Sequence, residues 1–300
     1  MDYSRLLSTA GRLVWQHRFF WVLGAGAALG GGLLRATARF FFHPAELARL
    51  GDAPLALKLD ATLLIAIMGS LFLGLVFWLV AVAAEGGVVV AVAGLQRGQT
   101  VTGRQAIRAG VRLLPRFVAI DTLLFFPLFV LILLVYLLIL ALALGLVLAA
   151  GRDVALGTLV AALGATALAC ILPLLCLLLP VGALTLLLRF LAFRAAALER
   201  LSVRASVAQA WHLLRRHAGS VLILALLLWG INYVAGLLLN LVLLPFQALL
   251  APAAASGNAA GALWLGMVLL DVAPRSLLFT FTAVAWTLVY PQLAPGMRAF

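Results

Sequence analysis

Apolar stretches longer than eighteen residues recur along the whole of this chain. A bilayer core about 30 Å thick takes roughly 20 helical residues to cross, so such stretches read as spanning helices. Inside hydrocarbon every backbone amide must find its partner within the protein, which leaves helices and closed barrels as the available structures. Here 66% of the residues are hydrophobic and 10% are charged, against about a quarter charged in ordinary soluble domains. The expected class is therefore all-α and polytopic, with residues 1–300 forming a single membrane domain.

Six spans are expected: Arg18–Leu34, Asp60–Ala84 continuing as helix towards Arg97, Phe117–Ala149, Val154–Leu188, Gly219–Leu250 and Ala262–Tyr290. Several are longer than a bilayer requires, which predicts tilts, kinks or interfacial extensions. Pro127, Pro173, Pro180 and Pro245 are the expected kink points, because proline removes a donor and clashes one turn back.

A second pattern is superimposed on the first. Asp2, Thr102 and Ser202 lie one hundred residues apart, and each is a residue type that caps helices. Leu7, Ile107 and Val207 align at the same offset, as do Ala10, Gly110 and Ala210, and Leu13, Leu113 and Leu213. Each cap opens a short amphipathic helix that leads into an odd-numbered span. The chain thus reads as three parallel repeats of about 100 residues, 1–100, 101–200 and 201–300. Each repeat is one interfacial helix plus two spans, related by an axis along the membrane normal. In the second copy Ile107, Val111 and Leu114 form an apolar face and Arg104, Arg108 and Arg112 a charged one. In the third, Val203, Val207, Trp211 and Leu214 are apolar, while Arg204, Arg215 and Arg216 lie outside that face. Helices of this kind rest in the headgroup layer, apolar side down. Pro115 is expected at a sharp turn between helix and span.

Charge then sets orientation. The side carrying the interfacial helices and the C-terminus has fifteen basic residues, among them Arg189 and Arg194. The opposite loops have five: Arg35, Arg39, Arg49, Lys58 and Arg152. Cytoplasmic flanks collect Lys and Arg, so both termini are expected in the cytoplasm. In this setting the net charge of +12 reports topology and anionic lipid headgroups as partners, not nucleic acid. Twenty of the twenty-one basic residues are arginine, which reads as the codon bias of a GC-rich prokaryote. The expected location is a prokaryotic cytoplasmic membrane. Arg5, Arg12 and Arg18 ahead of an apolar stretch resemble a signal peptide, with Ala36-Thr37-Ala38 as its cleavage site. The match to the internal repeats and the charge of Arg35 argue for retention of the first helix.

Ionisable residues in spans are candidates by default, because a bilayer makes them costly. Glu85 lies at the inner end of the second span and Asp121 one turn inside the third. For both, the expectation is an interface position or pairing with a nearby arginine. Asp271 and Arg275, four apart in the sixth span, are expected to pair with each other. Asn232, Gly236 and Asn240 recur every four residues in the fifth span and should face the bundle interior. Gly24, Ala28 and Gly31 give the first span a smooth face, and Gly26 and Gly30 form a small-residue packing motif. Both signal close helix contact. Cys170 and Cys176 read as small apolar fillers. His17, His43, His212 and His217 do not assemble a ligand set, so neither a metal nor a cofactor is expected. Nucleophile elbows, zinc-protease motifs and phosphate-cradling loops are absent from the sequence, which speaks against an enzyme.

Two likenesses bear on these residues. Pro44-Ala-Glu46-Leu-Ala-Arg49 fits the mitochondrial-carrier signature once, but 150–154 and 251–255 do not carry it, so that resemblance fails. Ser202 to Arg216, following Ala197-Leu-Glu199, is similar to a stretch common in poorly characterised prokaryotic six-span membrane families. These include the membrane domain that accompanies some glycerophosphodiester phosphodiesterases. Thr102 to Gly110 and Trp15 to Trp21 are in the same style. The resemblance implies a six-span fold and no phosphodiesterase activity. The function expected is a non-catalytic membrane scaffold or lipid-interacting protein, with a membrane protein as a further class of partner. A transporter or channel for a small solute is the alternative.

Overall fold

Helix is the dominant state throughout the computed structural model, which describes residues 2–29, 61–150, 156–255 and 260–294. The helices in chain order are α1 (Tyr3–Gln16), α2 (Phe19–Leu29), α3 (Ala61–Gln96), α4 (Gly103–Ala150), α5 (Leu156–Leu198), α6 (Val203–Arg216), α7 (Ala218–Ala255) and α8 (Ala260–Leu293). Among the described residues there is no strand.

Among the described residues five segments are long and apolar enough to cross a membrane: Leu71–Gln96, Gly103–Val135, Leu178–Leu198, Ala218–Pro245 and Leu269–Leu293. This is the make-up of a multi-pass integral membrane protein. The described part of the expected first span, α2, is shorter than a crossing helix, and the rest of that span lies outside the described residues. Gly30, Gly31, Ala36–Ala38, His43 and the carrier-like Pro44–Arg49 lie outside them as well.

Local chemistry starts the short helices. The Asp2 carboxylate accepts from the Arg5 amide at 3.1 Å, and the Ser202 hydroxyl from the Ala205 amide at 3.5 Å. Thr102 and Gln105 cap each other reciprocally, with the Gln105 amide on the Thr102 hydroxyl and the Thr102 amide on Gln105 Oε1 at 3.0 Å. Two orphan donors of α4 are thereby satisfied at once. Helix α1 stops at His17 and α6 at His217, each of which returns its amide to a carbonyl one turn back.

No such stop occurs in α4, which runs unbroken through Pro115 and Pro127. The turn expected at Pro115 is absent. The reason lies on both sides of the proline: Gly110 and Phe117 dock against the same residue of α3, Gly86, so two turns of α4 are held on one line.

The elements assemble around α3, α5 and α8, each of which touches the other two. Helix α4 lies against α3 and α5, and α7 against α8. The N-terminal turns of α4 pack on α3, α6 packs on α5, and α1 packs on α8 at the far end of the sequence. The faces used are narrow and centred on small residues, Ala10 in α1, Ala106 and Gly110 in α4, and Ser206 and Ala210 in α6, flanked by Leu6 and Val14 in α1 and by Leu213 in α6.

The expected apolar faces divide between the bundle and the exposed surface. Ile107 and Val111 are exposed, and so is Trp211, while Val203 and Val207 are half-buried and Leu214 is buried. At about 100° per residue, the α4 face buried in the bundle is set roughly a quarter turn from Ile107 and Val111. Close approach of two backbones selects small side chains, because lipid tails are as apolar as leucine and offer no advantage to burying a large one.

Candidate functional site

Helix α3 carries the sequence Ala83-Ala84-Glu85-Gly86-Gly87 into the contact with α4. A Cβ at Gly110 would collide with the Ala83 carbonyl oxygen, and one at Gly87 would lie 2.8 Å from the Ala106 carbonyl oxygen. The two backbones therefore nearly touch. Glu85, between these contacts, cannot reach lipid or water, and its side chain is 2% exposed.

Its charge is met from α5. Arg194 Nη1 donates to Glu85 Oε1 at 2.8 Å, and Arg189 Nη1 lies 3.0 Å from Glu85 Oε2. Arg189 turns its Nε to Asp121 Oδ1 of α4 at 2.8 Å. One glutamate thus bridges two arginines, and one arginine bridges two acids. The formal charges of the four groups sum to zero, which lets ions sit at this depth.

Two further bonds of Arg194 go to backbone. Nη1 also reaches the Phe190 carbonyl oxygen at 3.0 Å, and Nη2 the Ala283 carbonyl oxygen of α8 at 3.2 Å. Arg194 is fully buried, and its Nε has no hydrogen-bond partner among the described residues. It therefore ties α3, α5 and α8 together from their shared centre. Aromatic rings wall the cluster. Phe117 and Phe193 stack at 3.9 Å between centroids, the Arg189 guanidinium lies 4.3 Å from the Phe193 ring centroid, and Phe190 stacks on Trp286 at 5.4 Å. A planar cation over an aromatic face is favourable where water is excluded.

The structure thus brings Glu85 and Asp121 into one site and supplies both of its partners from α5. Arg189 and Arg194 are the nearby arginines that pair with these acids: Arg194 is fully buried and the Arg189 side chain is 16% exposed.

The other candidates lie elsewhere. Arg275 Nε donates to Asp271 Oδ1 at 2.7 Å within α8. Asn232 donates to Thr282 Oγ1 at 3.0 Å across to α8, and to the Leu228 carbonyl of its own helix. Asn240 is exposed, so the four-residue stripe does not face inward as a unit. The reason is a shift of burial along α7, whose residues beyond Leu228 are mostly uncovered. Arg104, Arg108, Arg112, Arg204, Arg215 and Arg216 are all exposed, and the Arg215 guanidinium lies 5.0 Å from the Trp211 ring centroid.

A contact not legible in the sequence joins the residue that follows α5 to α8 near the same end. Buried Tyr290 donates its hydroxyl to Glu199 Oε1 at 2.6 Å. Among the described residues no three His, Cys, Asp or Glu side chains converge as a metal site. Comparison of the chain with protein-family models, with curated proteins and with solved structures gives no match.

Proposed function

We propose that this chain is a lipid-interacting scaffold of a prokaryotic cytoplasmic membrane, non-catalytic, and binding anionic headgroups along its arginine-bearing helix faces. The observation that carries the reading is the division of those helices into three sectors. In α4, Ala106 and Gly110 face the bundle, Ile107 and Val111 are exposed, and Arg104, Arg108 and Arg112 are exposed beyond them. In α6, Ala210 and Leu213 are buried, Trp211 is exposed, and Arg204, Arg215 and Arg216 are exposed. A helix of this build can rest its apolar sector in the acyl boundary and its arginines among the phosphates, each worth about 1 kcal/mol on an anionic surface.

The same reading makes the chain three parallel repeats with six spans, both termini cytoplasmic. The contact of α1 with α8 supports it, because it gives the first interfacial helix the relation to a second span that α4 has to α3 and α6 to α5.

The test is lipid selectivity. Purified chain in nanodiscs of mixed lipid should enrich phosphatidylglycerol over phosphatidylcholine at low salt and lose the preference as salt rises. Replacing Arg104, Arg108, Arg112, Arg204, Arg215 and Arg216 by Gln should abolish it. Equal retention of both lipids at low salt would sink the proposal.

A further inference from the structure

Helix α7 buries Val221, Leu224 and Leu228 on one side and sends the Asn232 amide to Thr282 of α8. A second line of residues runs along the opposite side. Leu226, Tyr233 and Asn240 recur every seven residues, and Gly230, Leu237 and Leu244 recur every seven between them. At about 100° per residue these six fall within about 80° of arc. Leu226, Tyr233, Leu237 and Leu244 are 57–61% exposed, Asn240 is exposed, and a Cβ added at Gly230 would meet nothing within 4 Å. Two interleaved series of this period make the seam of a pair of parallel helices in a left-handed coil. Large aliphatic side chains facing lipid call for no partner, but an amide does. Asn240 lies inside the crossing segment Ala218–Pro245, and its side chain makes no hydrogen bond among the described residues. Glu85, Asp121 and Asn232 are all partnered inside the bundle.

We propose that this face of α7 is the contact with a second copy of the chain, in a parallel two-fold dimer whose two Asn240 side chains bond each other. The occupant follows from depth and from hydrogen-bond chemistry. Copies of one chain enter the membrane in one orientation, so across a two-fold axis along the membrane normal each residue meets its own counterpart at its own depth. An amide carries both donors and an acceptor, so two of them complete each other, which an acyl chain cannot do. Gly230 lets the two backbones approach. Tyr233 is already held against Trp229, with ring centroids 5.5 Å apart, and so has little freedom to lose on contact. Leu241 lies to one side of the seam and stays against lipid. The contact does not depend on the binding of lipid at the exposed arginines.

The experiment follows energy transfer between donor- and acceptor-labelled copies of the full chain in liposomes as lipid is added. Transfer should fall along a monomer–dimer curve. Asn240→Leu should move its midpoint about tenfold towards higher protein density, the order that one interhelical amide bond contributes. Gly230→Ile should move it at least as far and leave unfolding of the monomer unchanged, because the new Cβ meets nothing within the chain. Cross-linking then locates the seam. With Cys170 and Cys176 replaced by Ala, oxidation in native membranes should couple two copies through Leu237→Cys. It should not do so through Leu238→Cys, comparably exposed but about 100° round the helix. Transfer no greater than random encounter at every protein density, as for a seam covered by lipid alone, would overturn the proposal. So would an Asn240→Leu curve identical to wild type, equal coupling at both cysteines, or a Leu237→Cys product of any mass other than twice that of the chain, as for a different partner protein.

Discussion

Helix α3 is two different objects along its length. From Val82 to Gly94 it is Ala, Gly and Val with one glutamate, and nearly every residue is buried. From Met68 to Val80 it is mostly Leu, Phe, Val, Met and Trp, and many of these large side chains are exposed. Helix α4 shows the same contrast in the opposite order. Gly110, Phe117 and Ile120 are buried near its start, whereas Phe126, Phe129 and Leu134 are uncovered further on. In water this would be an inverted protein. In lipid, large aliphatic side chains gain nothing by leaving one apolar medium for another, so helices associate where small residues allow contact and where polar groups must be satisfied. The close-packed end holds the bundle together, and the far end presents its large side chains outward, as acyl-chain contact requires.

The largest test of this contrast is a side chain added where the backbones touch. Gly110→Leu would drive a branched group into the Ala83 carbonyl and the Gly87 amide. We expect a loss of about 3 kcal/mol or more, since neither partner is a side chain that can move aside. Unfolding in detergent or by steric trapping measures it, and a loss below about 1 kcal/mol would break the comparison.

Removing one charge comes next. Glu85→Ala leaves Arg194 with a buried, unpaired cation, and breaking a buried pair in this way costs about 3–5 kcal/mol in soluble proteins. The lower end is expected here, because Arg194 keeps two carbonyl partners. The double variant Glu85→Leu/Arg194→Met should recover most of the loss. A double variant as unstable as the single one would mean that the ions contribute net stability.

A smaller effect is expected at Tyr290. Tyr290→Phe removes one hydrogen bond to a carboxylate and keeps the ring, so about 1–2 kcal/mol should be lost in the same unfolding assay. At the far end the same chemistry should be nearly silent. Phe126→Ala or Phe129→Ala should change stability by less than about 0.5 kcal/mol in lipid, because each truncated ring faces acyl chains.

The sequence showed what local chemistry and composition decide. Asp2, Thr102 and Ser202 are legible as caps because a cap is an arrangement of neighbouring residues. The apolar segments are legible because hydropathy sums along the chain. Glu85 and Asp121 stand out as acids in spans, but their partners do not: the two bonds join residues 109 and 68 positions apart. Arg189 and Arg194 also fall where a cytoplasmic flank already accounts for arginine. The bundle face of α4 was hidden for another reason. Apolar periodicity picks out Ile107 and Val111, the face expected to meet lipid, and does not report that Ala106 and Gly110 meet another helix. The run of α4 through Pro115 depends on Gly86 of a different helix, which no local rule contains.

The most direct test of the two-ended bundle is spin-label mobility in bilayers. Single nitroxides would be placed at Val88, Ala195 and Leu224 in the close-packed end, and at Leu71, Leu134 and Leu241 in the far end. All carriers would have Cys170 and Cys176 replaced by Ala. The account predicts broad, immobilised spectra insensitive to lipid-soluble oxygen at the first three sites. It predicts mobile, oxygen-accessible spectra at the other three. Equal immobilisation at both ends would mean that protein, not lipid, covers the large side chains, and would contradict it.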